Sequence, residues 1–161
     1  MNPDTITADT LMLAHRIATE YAVNDVSSLS DAVRDMGTLE YIAERAQTFD
    51  SNIDAAAWLL WSVSTMHPFV EGNKRTALLS CQYALDDQLM NVVGREESLD
   101  ADIRDIAAGN RDLDHVRYFV IQNVIMIHMN IMPIDDQKDP EELKLRWFAN
   151  NLSELLIRLS A

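Results

Sequence analysis

Two apolar helical runs meet at a short break, and that junction constrains the fold more than any other feature of the chain. The segment NIDAAAWLLWSVSTM, from Asn52 to Met66, reads as a strongly apolar helix. Pro68 disfavours the α conformation for His67 before it, so the helix ends there. Gly72 permits unusual backbone angles and Asn73 is a good N-cap, and a second helix restarts through KRTALLSCQYALDDQLM with Leu78, Cys81 and Leu85 facing inward. A turn that carries His67, Phe69, Glu71 and Gly72 therefore joins two helices.

Helical spacing continues on both sides. Leu13, Ile17 and Tyr21 recur at i, i+4 and i+8, with Leu11, Ala14 and Ala18 beside them, which marks a first amphipathic helix. The run from Val23 onward mixes Ser, Asp and Gly and reads as a loop until a helical pattern resumes at Leu39, Ile42, Ala43 and Ala46. Ser98 can cap a short helix bearing Leu99, Ile103 and Ile106, closed by Gly109-Asn110. VRYFVIQNVIMIHMNIM, from Val116 to Met132, reads as a buried helix, interrupted by Arg117, Gln122, Asn123, His128 and Asn130 and so short of a bilayer span. A last helix runs from Pro140 to Leu159, with Asp139 as N-cap and Glu142 completing a capping box. Its stripe of Leu145, Phe148, Leu152, Leu155, Leu156 and Leu159 must pack on the body of the domain or in a homodimer. There is no repeat and no strand series, so the expected architecture is a single all-α domain spanning 1–161, with room for a short β-hairpin in the early loop.

Composition narrows the partners. Twenty-six acidic residues against 13 basic ones give a net charge of −13, which opposes non-specific nucleic-acid binding. The single cysteine, Cys81, permits no internal disulfide, and the N-terminal stretch lacks the basic and apolar regions of a signal peptide, so a cytoplasmic location is expected and no membrane partner. With four glycines, neither a Walker A loop nor a Rossmann fingerprint can be built. Cys81 lies on an apolar face, and His15, His115 and His128 show no ligand spacing, so all four read as packing or surface residues.

The junction itself has a chemistry. A helix beginning at Asn73 points free N–H groups and its positive dipole end into the turn, which favours an anion. Lys74 and Arg75 add two cations where the dipole prefers acids, so a phosphate or polyphosphate is the natural occupant. Glu71 can hold Mg²⁺ that bridges to phosphate oxygens, and His67 offers an imidazole that can take a proton from an incoming hydroxyl. Each residue also has a plainer reading. His67 can cap a helix C-terminus, Glu71 can be a solvated turn residue, and Lys74 with Arg75 can be an exposed pair. Phe69 reads as a core anchor for the turn. A helix-borne His67/Glu71 metal pair is excluded by Pro68 and Gly72, which deny it regular i, i+4 geometry.

The run from His67 to Arg75 resembles the Fic/Doc signature, His-x-Phe-x-(Asp/Glu)-Gly-Asn-Gly-Arg, at His67, Phe69, Glu71, Gly72, Asn73 and Arg75. VRDMGTLEYIAERAQ resembles the Doc-type segment in which Arg-Asp-x-Gly precedes a helix, and the likeness extends over about residues 11–120, leaving 121–161 as a helical extension. It implies a Fic-like helical fold with a helix–motif–helix active site and a flap, formed by the loop from Asn24 to Gly37, that holds a target segment by edge pairing. It also implies His67 as base, Glu71 as Mg²⁺ ligand and Gly72, Asn73, Lys74 and Arg75 as phosphate cradle, with ATP as co-substrate. Fic enzymes transfer AMP to protein hydroxyls, whereas Doc toxins phosphorylate elongation factor Tu. Lys74 stands where Fic proteins keep glycine and matches the Doc form, which goes with an inverted nucleotide and γ-phosphate delivery; Gly72 matches Fic proteins where Doc commonly has alanine. Leu78 replaces a second arginine that clamps the nucleotide in many Fic proteins, and no Ser/Thr-x-x-x-Glu-(Gly/Asn) inhibitory pattern occurs. The expectation is thus a Doc-like protein kinase restrained by a separate antitoxin chain, with AMP transfer or a non-catalytic nucleotide-binding module as the alternatives.

Overall fold

The helix that ends at Met66 and the one that begins at Asn73 form the centre of the molecule. The computed structural model describes residues 6–21, 33–85, 88–90, 96–126 and 139–159. Within them the order is α1 (Ala8–Thr19), α2 (Met36–Ala46), α3 (Asn52–Met66), α4 (Asn73–Leu85), β1 (Gln88–Met90), α5 (Glu96–Ala107), α6 (Leu113–Gln122), β2 (Val124–Met126), α7 (Pro140–Asn151) and α8 (Ser153–Arg158). The fold is all-α as expected, with one two-stranded ribbon added.

Helices α3 and α4 make the most extensive contact; α6, α2 and α5 pack on α3, while α1 and α7 pack on α4. Every residue of α4 except Lys74 is buried, so apolar surface surrounds this helix on all sides. Its partner α3 starts where the Ser51 hydroxyl accepts from the amides of Ile53 and Asp54. Trp58 donates its indole N–H to the Ile42 carbonyl at 3.0 Å and ties α3 to α2. The expected apolar faces are found: Leu11, Ala14, Ile17 and Ala18 on α1, and Leu39, Ile42, Ala43 and Ala46 on α2, are buried, with Leu13 and Tyr21 at the edge of the first.

Four boundaries depart from the sequence reading. The helix expected to continue from Lys74 to Met90 stops at Leu85, and Gln88–Met90 is a strand. Two aspartates follow Leu85 in the sequence, and negative charge opposes the dipole at a helix C-terminus. The helix expected over Val116–Met132 spans Leu113–Gln122 instead and buries only Val116 and Val120. Asn123 ends it by donating its side-chain amide to the Phe119 carbonyl at 2.8 Å, and Val124–Met126 then pairs antiparallel with Gln88–Met90, Leu89 opposite Ile125. The third departure is the last helix, which divides at Leu152 (φ −107°, ψ 13°) into α7 and α8. Asp139 does cap α7, accepting from the Glu141 amide, but the Glu142 carboxylate bonds Arg146 in place of a reciprocal capping contact. The fourth is the short helix expected to be capped by Ser98, which begins two residues before it, at Glu96, and ends at Ala107, with Gly109 (φ +85°) closing it as expected. His128 and the greater part of the expected flap lie outside the described residues.

Leu145, Phe148, Leu152, Leu155, Leu156 and Leu159 are all buried within the chain itself, so this stripe completes the core and needs no second subunit to cover it. Polar contacts line up along α1 and α7: Thr10 donates to Glu141 at 3.1 Å, Arg146 reaches both oxygens of Glu20 at 2.9 and 3.2 Å, and Tyr21 donates to Asn150 at 2.9 Å. No described helix is long and apolar enough to cross a membrane.

Candidate active site

The turn from His67 to Gly72 is fixed from three sides. His67 is the C-cap of α3 and takes a left-handed conformation (φ 51°, ψ 60°), the one positive φ at a non-glycine position among the described residues. Left-handed C-caps usually fall to glycine, so a histidine here is held by its surroundings. Arg34 supplies part of the hold: its guanidinium donates to the carbonyls of Met66, at 2.8 Å, and of His67. The amides of Arg34 and Asp35 both donate to the Pro68 carbonyl, at 2.7 and 3.2 Å, and Val33 bridges Phe69 in antiparallel fashion. The imidazole of His67 itself faces solvent.

From below, Phe69 is buried and anchors the turn, as its place in the sequence implied. Its ring stacks flat on His15 of α1, with centroids 3.9 Å apart and 5° between planes, and His15 Nε2 lies 2.8 Å from the Glu71 carbonyl. His15 is a residue that the sequence reading did not connect with the site, and Arg34, which lies within the expected flap, was given no role of its own. The signal for His15 was its position in the helical stripe of Leu11, Ala14 and Ala18, which forecast burial but not the partner.

Asn73 closes the turn in an unexpected way. It is the first helical residue of α4, not a cap, and its side chain reaches back to Phe69. Oδ1 accepts from the Phe69 amide at 3.0 Å while Nδ2 donates to the Phe69 carbonyl at 2.9 Å. This reciprocal pair is buried and satisfies both Phe69 backbone groups. The start of the helix is instead built on the Gly72 carbonyl, which receives the Thr76 amide at 2.9 Å and the Thr76 hydroxyl at 2.8 Å. Amides before Thr76 then have no intrahelical acceptor and face the turn. Gly72 has φ +78°, and a Cβ there would stand 3.2 Å from Arg75 Nη2 and 3.4 Å from His15 Nε2.

Arg75 is 6% exposed, and its Nε is a buried donor without a partner. Burial lowers its pKa below the ordinary arginine value, an effect that the Glu71 carboxylate opposes. Lys74 is half-buried, and its pKa is lowered first by burial and then by the charges of Arg104 and Arg75, against which Asp100 acts. Thus Lys74 faces the α5 side, while Arg75 lies beneath the turn. Glu71 is exposed. One exposed carboxylate beside the free first amides of α4 is a donor set that suits Mg²⁺, which commonly takes one or two carboxylates and completes its shell with substrate phosphates and water. The arrangement joins a cradle for an anion, a carboxylate for a cation and a solvent-facing imidazole. Leu78 is fully buried in α4. Cys81 is buried with its thiol pushed up to about 12, and His115 is an exposed partner of Asp112, so neither enters the site.

Comparison with curated proteins gives no match, and comparison with solved structures gives none either. The model of the Fic/DOC family matches residues 5–85, which covers α1 through α4 and the whole of the turn. The chain belongs to the Fic/DOC family, whose members are in general nucleotide-using transferases that modify proteins.

Proposed function

We propose that the chain is a Doc-like protein kinase that transfers the γ-phosphate of ATP to a protein hydroxyl and serves as the toxin of a toxin–antitoxin pair in the cytoplasm. The observation that carries the nucleotide reading is the buried, unpartnered Nε of Arg75 under the turn. A buried donor on a charged group is costly unless something satisfies it, and an anion in the turn would do so. The first amides of α4 and Arg75 would hold phosphate oxygens at the turn, and Glu71 would hold Mg²⁺. Held by Glu71, Mg²⁺ would offset the negative charge that develops on transfer. His67 accepts the proton of the acceptor hydroxyl, a role worth about 10²–10⁴ in rate.

Lys74 favours the kinase form. Burial first, and then the charges of Arg104 and Arg75, disfavour its ammonium while Asp100 acts against them, and a polyphosphate extending towards α5 would favour the charged form. AMP transfer is the second reading, and Gly72 favours it, because Fic proteins keep glycine there where Doc commonly has alanine. The acidic balance of the chain supports a protein target, such as elongation factor Tu, over nucleic acid. A separate antitoxin remains the proposed restraint, given the missing inhibitory pattern; active protein that is harmless when expressed alone would contradict this. Incubation with a cell lysate and ATP labelled on either the α- or the γ-phosphate tests the central choice. Protein labelling from γ alone is expected, and labelling from α would give the site to AMP transfer.

A further inference from the structure

We infer that His15 is a positioning residue for the metal-binding end of the turn, acting through the Glu71 backbone; this rests on the nucleotide reading above. A carbonyl only accepts hydrogen bonds, so the His15 Nε2 that lies 2.8 Å from Glu71 O carries the hydrogen and donates it. The imidazole is 2% exposed and cannot swing away, because its plane is stacked on Phe69 at 3.9 Å. Three constraints therefore meet in one ring. The stack places Phe69, the donor fixes the peptide plane after Glu71, and the ring edge stands 3.4 Å from where a Gly72 Cβ would be.

The peptide between Glu71 and Gly72 is the one whose orientation matters. Its carbonyl end is joined to the Cα that carries the Glu71 carboxylate, and its amide end leads into the positive φ of Gly72. Glycine at that position has wide freedom, so the local sequence leaves this peptide free to rotate. A donor from α1, 56 residues away in the chain, removes that freedom. Glu71 is otherwise exposed, and preorganised ligands bind metal better than ones that must be ordered first. The α1 helix is itself held by α7 through Thr10–Glu141 and Glu20–Arg146, so the strap rests on a fixed support.

Two variants of the full chain separate donation from packing. His15→Phe keeps an aromatic ring for the stack but has no donor; His15→Gln keeps an N–H at similar reach but has no ring. Half-saturation by Mg²⁺ in ATP binding should rise about tenfold in His15→Phe, the loss of one hydrogen bond, and return to within about threefold of wild type in His15→Gln. In a Glu71→Gln background the His15→Phe change should add nothing further. Equal losses in both variants, or full additivity with Glu71→Gln, would reduce His15 to a packing residue and overturn the inference. Hydrogen exchange of the peptide covering residues 68–76, measured without nucleotide, gives a readout independent of function. Protection should fall in His15→Phe and recover in His15→Gln. If wild type binds no Mg²⁺-ATP while exchange follows this pattern, the functional reading fails and the strap stands; unchanged exchange in His15→Phe would remove the strap itself.

Discussion

Replacing Asn73 by alanine should destabilise the turn although it removes no apolar contact from the core. Its side chain satisfies the Phe69 amide at 3.0 Å and the Phe69 carbonyl at 2.9 Å, both buried. Alanine leaves one donor and one acceptor unpaired, each at about 1–3 kcal/mol, so the sum is about 2–6 kcal/mol. For a chain of this length 1 kcal/mol lowers the melting point by about 2–4 °C, which predicts a fall on the order of 10 °C. Asn73→Asp should give no rescue. It still accepts from the Phe69 amide, but it sets a second acceptor against the Phe69 carbonyl. Thermal melts followed by circular dichroism measure both. An Asn73→Ala protein that melts within about 2 °C of wild type would refute the reciprocal pair as the element that closes the turn.

Arg75→Met should leave the nucleotide-free protein as stable as wild type or more so, because it removes a buried cation with an unpartnered donor, while ATP affinity falls by about tenfold or more; denaturant melts and calorimetry read the two effects. Phe148→Ala should cost about 3–5 kcal/mol, since the ring is fully buried where α7 meets the core, and a melt unchanged by this substitution would show that α7 docks elsewhere. Burial raises the pKa of Glu141, so the folded state holds that proton more tightly than the unfolded state, and stability drains as pH rises from the ordinary glutamate range through the raised value. Glu141→Gln keeps an acceptor for Thr10 and should melt at or above wild type near pH 7, with the difference vanishing below about pH 4; a lower melt at neutral pH would reverse the sign.

Much of the framework was legible in the sequence, and the reasons are local. Pro68 and the apolar composition of Asn52–Met66 fix both the length of α3 and the position of the turn. The strands were not legible because three residues each are too few for alternation to register, and their pairing joins positions 34–38 residues apart, as from Leu89 to Ile125. Leu152 breaks the last helix without glycine or proline; the neighbouring Asn151 side chain donates to the Trp147 carbonyl within the final turn. At the site, the residue types of the motif were legible and their bonding was not. Asparagine is as able to cap a helix as to reach back along it, and the choice made here depends on where Phe69 is buried. His15 and Arg34 act from α1 and from the segment before α2, and spacing along the chain carries no trace of such contacts.

The most direct test of the account compares wild type with His67→Ala in one experiment, reading Mg²⁺-ATP affinity and phosphate transfer to protein side by side. The turn proposed to bind ATP is built from Phe69, Gly72, Asn73 and Arg75, whereas the His67 imidazole faces solvent, so affinity should stay within about threefold while transfer falls by about 10²–10⁴. Transfer undiminished in His67→Ala would contradict the account.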